Sequence, residues 1–192
     1  MTMTEARAET ALLTAADLLR LDGSGVRGEL IEGVFCETMS AGQMHGAIVM
    51  RLGARLVDFV VAAGLGTVVG SDSGVWLERD PDTVREPDIA FTSAQRLAVG
   101  QEVAGYAEVV PDLVVEVASP SERRGETHDK ARMWLSFGVR LVWVIYPESR
   151  SARVHRLDGP VELLAPEASL DGHDVLPGFS CPLAQICAEP GD

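Results

Sequence analysis

Two runs rich in branched aliphatic residues, PDLVVEVA at 111–118 and VRLVWVIYP at 139–147, flank THDKARMWLSFG, a segment of helical periodicity that ends at Gly138. Strand, helix and strand within about 35 residues is the length of a crossover unit, and no other feature narrows the fold as much. Runs with little polar alternation suit strands buried on both faces, the condition of parallel neighbours in a sheet covered by helices. The expected fold class is α/β, with a mixed central β-sheet flanked by helices.

The rest of the chain fits around that unit. HGAIVMRLGARLVDFVVAA at 45–63 repeats apolar groups at Ile48, Leu52, Leu56 and Phe59, and Gly64 supplies a left-handed stop, so the longest helix is expected there. Thr14 is placed to cap a short helix through Leu21. GELIEGVFCETM at 28–39 pivots on Gly33 as a hairpin, and GTVVG, GVWLE and DIAF read as short strands before a polar connection over 92–108. ARVHR and VELL are expected to extend one sheet edge by antiparallel pairing. With 192 residues, 46% of them hydrophobic, the chain suits one domain, expected over 10–188 with 1–9 and 189–192 as flexible termini.

Glu116 interrupts the first aliphatic run. An ionised carboxylate taken out of water costs several kcal/mol unless compensated, so this position calls for a basic partner, a proton or a metal ion. Period-two alternation puts Leu113, Val115 and Val117 on one face and Asp112, Val114 and Glu116 on the other. Asp112 stands about 13 Å from Glu116 along the strand, too far to share one ion. Asp88, in EPDIAF, opens another short strand, and neighbouring strands run only about 4.8 Å apart. Two carboxylates that close repel unless they share a proton or a cation, and hard oxygen ligands with room for water suit Mg²⁺. An alternative, in which Asp88 caps a turn after Pro87 and Glu116 pairs with an arginine, accounts for the same residues.

Of the 16 basic residues 15 are arginine, and Lys130 is the single lysine. At about 100° per residue it shares the apolar face of its helix with Trp134 and Phe137, opposite Asp129, Arg132 and Ser136. Its stem can carry an ammonium to the carboxylates, or simply cover apolar surface.

Charge and cysteine usage narrow the function classes. A formal net charge of −13 opposes long-range attraction to polyphosphate, so a nucleic-acid role needs local help such as a divalent ion. Cys36, Cys181 and Cys187 include no CxxC pair, which suits a reducing, cytoplasmic setting. The first residues lack the pattern of an export signal, and Arg51, Arg55 and Asp58 break the most apolar helix, so no membrane association is expected.

In order and spacing, EPDIAF, PDLVVEVASPS, a helical lysine and GVRLVWVIYPE resemble the Uma-two family of restriction endonucleases, within the PD-(D/E)xK nuclease superfamily. GELIEG, MHG at 44–46, SDSGVWL and DVLPGFSCPLAQI are similar to further family segments, although Gly28 replaces the usual tyrosine and Ala118 occupies the usual ExK lysine place. The resemblance implies a restriction-endonuclease-like core and Mg²⁺-dependent hydrolysis of DNA, with Mn²⁺ as a substitute, by a homodimer. It implies Asp88 and Glu116 as metal ligands and catalytic residues, joined by the Val117 carbonyl, with Lys130 and Glu29 as further catalytic residues. A non-catalytic interaction or scaffold domain on the same fold is the alternative.

His45, at a helix start, is expected to cap or pack, and His128 to face solvent. In ASPSERRGE, the residues Ser119, Ser121, Arg123 and Arg124 are polar loop groups that can touch a phosphate backbone.

Overall fold

The computed structural model describes residues 12–119 and 124–187; the expected flexible termini lie outside these residues, as do Ser121 and Arg123. α1 (Ala15–Gly23) starts from Thr14 through a capping box, in which Thr14 Oγ1 accepts the Asp17 N–H at 3.2 Å and Asp17 Oδ2 accepts the Thr14 N–H at 2.9 Å. β1 (Gly28–Ile31) and β2 (Val34–Glu37) form the hairpin, turning through Glu32 and Gly33 at φ 51° and 75°. Both central residues at positive φ is the two-residue turn whose twist matches the strands. α2 (Gln43–Ala63) ends on Gly64 at φ 62°.

β3 (Gly66–Gly70), β4 (Val75–Glu78), β5 (Thr83–Arg85) and β6 (Ile89–Ser93) follow, then β7 (Leu113–Val117), α3 (Arg124–Ser136) and β8 (Leu141–Tyr146). β9 (Ser151–Arg156) and β10 (Glu162–Leu164) are the antiparallel edge additions; β11 (Ser169–Asp171), β12 (Ser180–Pro182) and α4 (Leu183–Cys187) close the fold.

The central sheet has the order β10-β9-β8-β7-β6-β3, mixed because β7 and β8 run parallel, Leu113 against Leu141 through Val117 against Ile145. α2 and α4 cover one face, where Ile48, Leu52, Leu56 and Ile186 pack on Phe91, Val115, Trp143 and Val154. α3 covers the other with Ala131 and Trp134 against Val114, Val142 and Val144. The alternation along β7 therefore aims Glu116 at α3. Asp112, 2% exposed, is held by the Ser93 N–H at 2.9 Å and by Arg96 Nε at 3.0 Å, which settles its charge away from Glu116.

A second, antiparallel sheet of order β2-β1-β5-β4 stands beside the first, so the hairpin and β4 are not strands of the central sheet. β5 has no counterpart among the expected strands. It is three residues long between Pro81 and Pro87, and pairing on both sides, not its own pattern, makes it a strand.

His128 does not face solvent as expected. α3 runs over β9 as well as β8, and the His128 ring packs on His155 of β9 with centroids 5.3 Å apart. His155 is 1% exposed, and its Nε2 and His128 Nδ1 are buried without hydrogen bonds. Burial, then the fields of His128 and Arg153, push the His155 imidazole down from 6.5 to about 4. The unfolded chain thus binds the proton more readily, and His155 stabilises the fold above pH 6.5 and surrenders that stabilisation as pH falls toward 4. In melting-temperature scans from pH 7 to 4, His155→Leu is expected to lose less stability than the native chain; parallel curves would contradict this assignment.

Candidate metal centre

β6 and β7 pair antiparallel with Ile89 opposite Val115 and Phe91 opposite Leu113. One further step along that register sets Asp88 opposite Glu116. Pro87 precedes it and has no N–H for a ladder, so β6 begins only at Ile89 and the Asp88 side chain does the work of a backbone acceptor. Its Oδ2 accepts the Val117 N–H at 2.7 Å and lies 3.1 Å from His45 Nε2, while Ser71 Oγ donates to the Asp88 carbonyl at 3.3 Å. Both side-chain bonds fall on Oδ2, and Oδ1 keeps its lone pairs among the described residues.

Glu116 is 8% exposed. Trp134 Nε1 donates to its Oε1 at 2.7 Å, and Lys130 Nζ lies 3.9 Å from Oε2, an ion-pair distance beyond hydrogen-bond reach. Lys130 and Trp134 are four residues apart on α3 and therefore present one face to the strand. Burial pushes the Glu116 carboxyl up to about 7; Lys130 and the Trp134 bond oppose the rise, and the fields of Asp88 and Glu29 add to it. One N–H bond and one distant ammonium leave most of the acceptor capacity of a carboxylate unmatched.

Glu29 lies on β1, in the second sheet. Its Oε1 accepts the Glu86 N–H at 2.8 Å and lies 3.0 Å from Arg85 Nε, a mostly buried ion-pair contact that is not a hydrogen bond. Glu86, next to Pro87, is half-buried and pushed up to about 7 by burial and then by Asp22 and Glu29.

The arrangement therefore joins Asp88, Glu116 and Lys130, sets Glu29 beside them in a separate ion pair, and adds His45 and Trp134. His45 was expected only to cap or pack; its partner is 43 residues away, and nothing local in MHG announces that the first turn of α2 meets the start of β6. The indole bond to Glu116 was equally invisible, although the i, i+4 spacing of Lys130 and Trp134 is a signal for their shared direction.

Does this set suit a metal ion? Among the described residues no cluster of three or more His, Cys, Asp and Glu side chains forms a protein-only cage. Mg²⁺ needs none, since it keeps several waters and commonly takes one or two carboxylates plus substrate phosphate oxygens. Two carboxylates with spare lone pairs, one of them buried short of counter-charge, fit that chemistry.

Residues 15–184 match the Uma2 family, described as "Putative restriction endonuclease". No curated protein matches the chain. Among solved structures, one described as "a putative nuclease belonging to DUF820 from Anabaena variabilis ATCC 29413" superposes with a TM-score of 0.78 at 18% identity, over 92% of this chain and 98% of that one. That likeness shows a shared fold.

Proposed function

Because this chain belongs to the Uma2 family, we propose that it is a Mg²⁺-dependent endonuclease that hydrolyses DNA phosphodiester bonds, with Asp88 and Glu116 holding the metal. The observation that carries the reading is Glu116: a buried carboxylate opposite Asp88, with the sole lysine 3.9 Å away and too few donors to compensate it. When bound, Mg²⁺ or Mn²⁺ lowers the pKa of a coordinated water and draws charge from the scissile phosphate.

The chain's own groups prepare for this. The Val117 N–H and His45 fix the Asp88 carboxylate, and the Trp134 N–H fixes Glu116 from the covering helix. The Val117 carbonyl is a further oxygen donor at the same strand end. Lys130 supplies positive charge beside Glu116, where it orients the attacking water or neutralises charge on the phosphate during in-line displacement. Glu29, anchored by Arg85, acts through water from the second sheet. A homodimer engages two strands, and a reducing cytoplasm suits the three free cysteines.

The formal charge of −13 favours a second reading, a non-catalytic scaffold, because it repels DNA outside the immediate site. A plasmid-nicking assay separates the two. Cutting is expected with Mg²⁺ or Mn²⁺ and none in EDTA, and Lys130→Ala is expected to lower the rate on the order of 10²–10³-fold. A native chain that never nicks, or a Lys130→Ala variant at full rate, contradicts the proposal.

A further inference from the structure

α2 is apolar on two sides. Its inward face buries Ile48, Leu52, Leu56 and Val60 at no more than 1% exposure each. About 150° around the helix, Met50, Ala54, Val57 and Val61 form a second stripe, and it points outward: Met50 and Val61 are 71% exposed and Val57 42%. A helix apolar on opposite faces is ordinarily covered on both. Among the described residues no element of this chain covers the outer stripe.

The spacing names the kind of cover. Met50, Ala54, Val57 and Val61 step by four, three and four residues, the seam spacing by which one helix packs lengthwise on another. No charge interrupts the stripe. Arg51 and Asp58 lie along one flank, and Gly46 and Gly53 along the other, where Gly46 has no neighbour within 4 Å of where a Cβ would stand while Gly53 faces Ile89 of the central sheet.

We infer that the outer face of α2 is the docking surface for a second copy of this chain, packed helix against helix in antiparallel, two-fold fashion. Centred between residues 55 and 56, such a pairing sets Met50 against Val61 of the partner subunit and Ala54 against Val57 of the partner subunit, large groups alternating with small. The two-fold axis repeats each contact.

On the charged flank the same register brings Arg51 beside Asp58 of the partner subunit, and the reverse. Arg51 already donates to the Ile186 carbonyl at 3.1 Å, which holds its guanidinium at the edge of the seam. A guanidinium has five N–H donors and can serve several acceptors at once. Parallel packing would instead lay the flank of Arg51 and Asp58 beside the partner's Gly46 and the partner's Gly53, where no counter-charge stands, so only the antiparallel arrangement pairs these charges. A lipid surface fits less well: no helix among the described residues is long and apolar enough to cross a membrane, and a net charge of −13 repels anionic headgroups.

This inference specifies the surface of the homodimer proposed above and does not depend on metal or catalysis. Its test is sedimentation velocity on the full chain at tens of micromolar, without metal or DNA. The native chain is expected at twice 20.5 kDa, and Met50→Glu/Val57→Glu, changes at exposed positions, is expected to raise the dimer Kd at least about 100-fold with an unaltered circular dichroism spectrum. Asp58→Arg is expected to weaken the dimer and Arg51→Glu/Asp58→Arg to restore it. A monomeric native chain, or an intact dimer in the double-glutamate variant, overturns the proposal, whatever the nicking assay shows.

Discussion

Trp134→Ala is expected to lower the melting temperature by about 6–20 °C. Removing a fully buried indole costs about 3–5 kcal/mol in transfer and cavity terms, and each kcal/mol is about 2–4 °C in a chain of this length. Trp134 is 0% exposed and packs with Val114, Val142, Val144 and Val139 at the junction of α3 with the parallel strands. The substitution also removes the N–H on Glu116, leaving a buried carboxyl short of a donor. Trp134→Phe retains most of the packing and loses only that bond, so it should fall between the two, and differential scanning calorimetry on the three chains measures the split. A Trp134→Ala chain melting within about 2 °C of the native one would mean that α3 is not anchored through this contact.

The same junction shows why so much of the fold could be read in advance. The β7, α3 and β8 segments carry their own periodicities, and a parallel pair needs a crossover helix of about that length, so local pattern and topology agree. Gly33 and Gly64 mark their turns because each needs a positive φ. β5, β11 and β12 are three residues each, too short for a period, and exist because other strands pair with them. That the hairpin and β4 form a sheet of their own depends on contacts distant in sequence and could not be read from alternation.

The site divides in the same way. The adjacency of Asp88 and Glu116 was legible because Asp112 lies too far along the same strand to share an ion with Glu116, whereas neighbouring strands run only about 4.8 Å apart. The direction of Lys130 followed from helical spacing. His45, by contrast, reaches Asp88 only through the position of α2 on the sheet, and His128 meets His155 only because α3 lies across β9. These are tertiary facts, and neither residue differs locally from an ordinary helix histidine.

Glu116→Gln is expected to reduce activity as strongly as Lys130→Ala. Glutamine matches glutamate in shape, and its amide oxygen can still accept the Trp134 N–H, so the packing under α3 is retained. Only the charge is removed. A buried neutral amide avoids the desolvation cost of a carboxylate, so the metal-free variant is expected to melt no lower than the native chain. Metal-dependent nicking should nevertheless fall on the order of 10²–10³-fold, because one of the two proposed anionic ligands is gone. Loss of function at undiminished stability distinguishes a working carboxylate from a structural one.

Anomalous scattering from Mn²⁺-soaked crystals of the native chain and of Glu116→Gln tests the central claim most directly. A native peak about 2.0–2.2 Å from carboxylate oxygens of both Asp88 and Glu116, absent or strongly reduced in the variant, is the predicted result. A native map with no peak there, or equal peaks in both maps, would contradict the account.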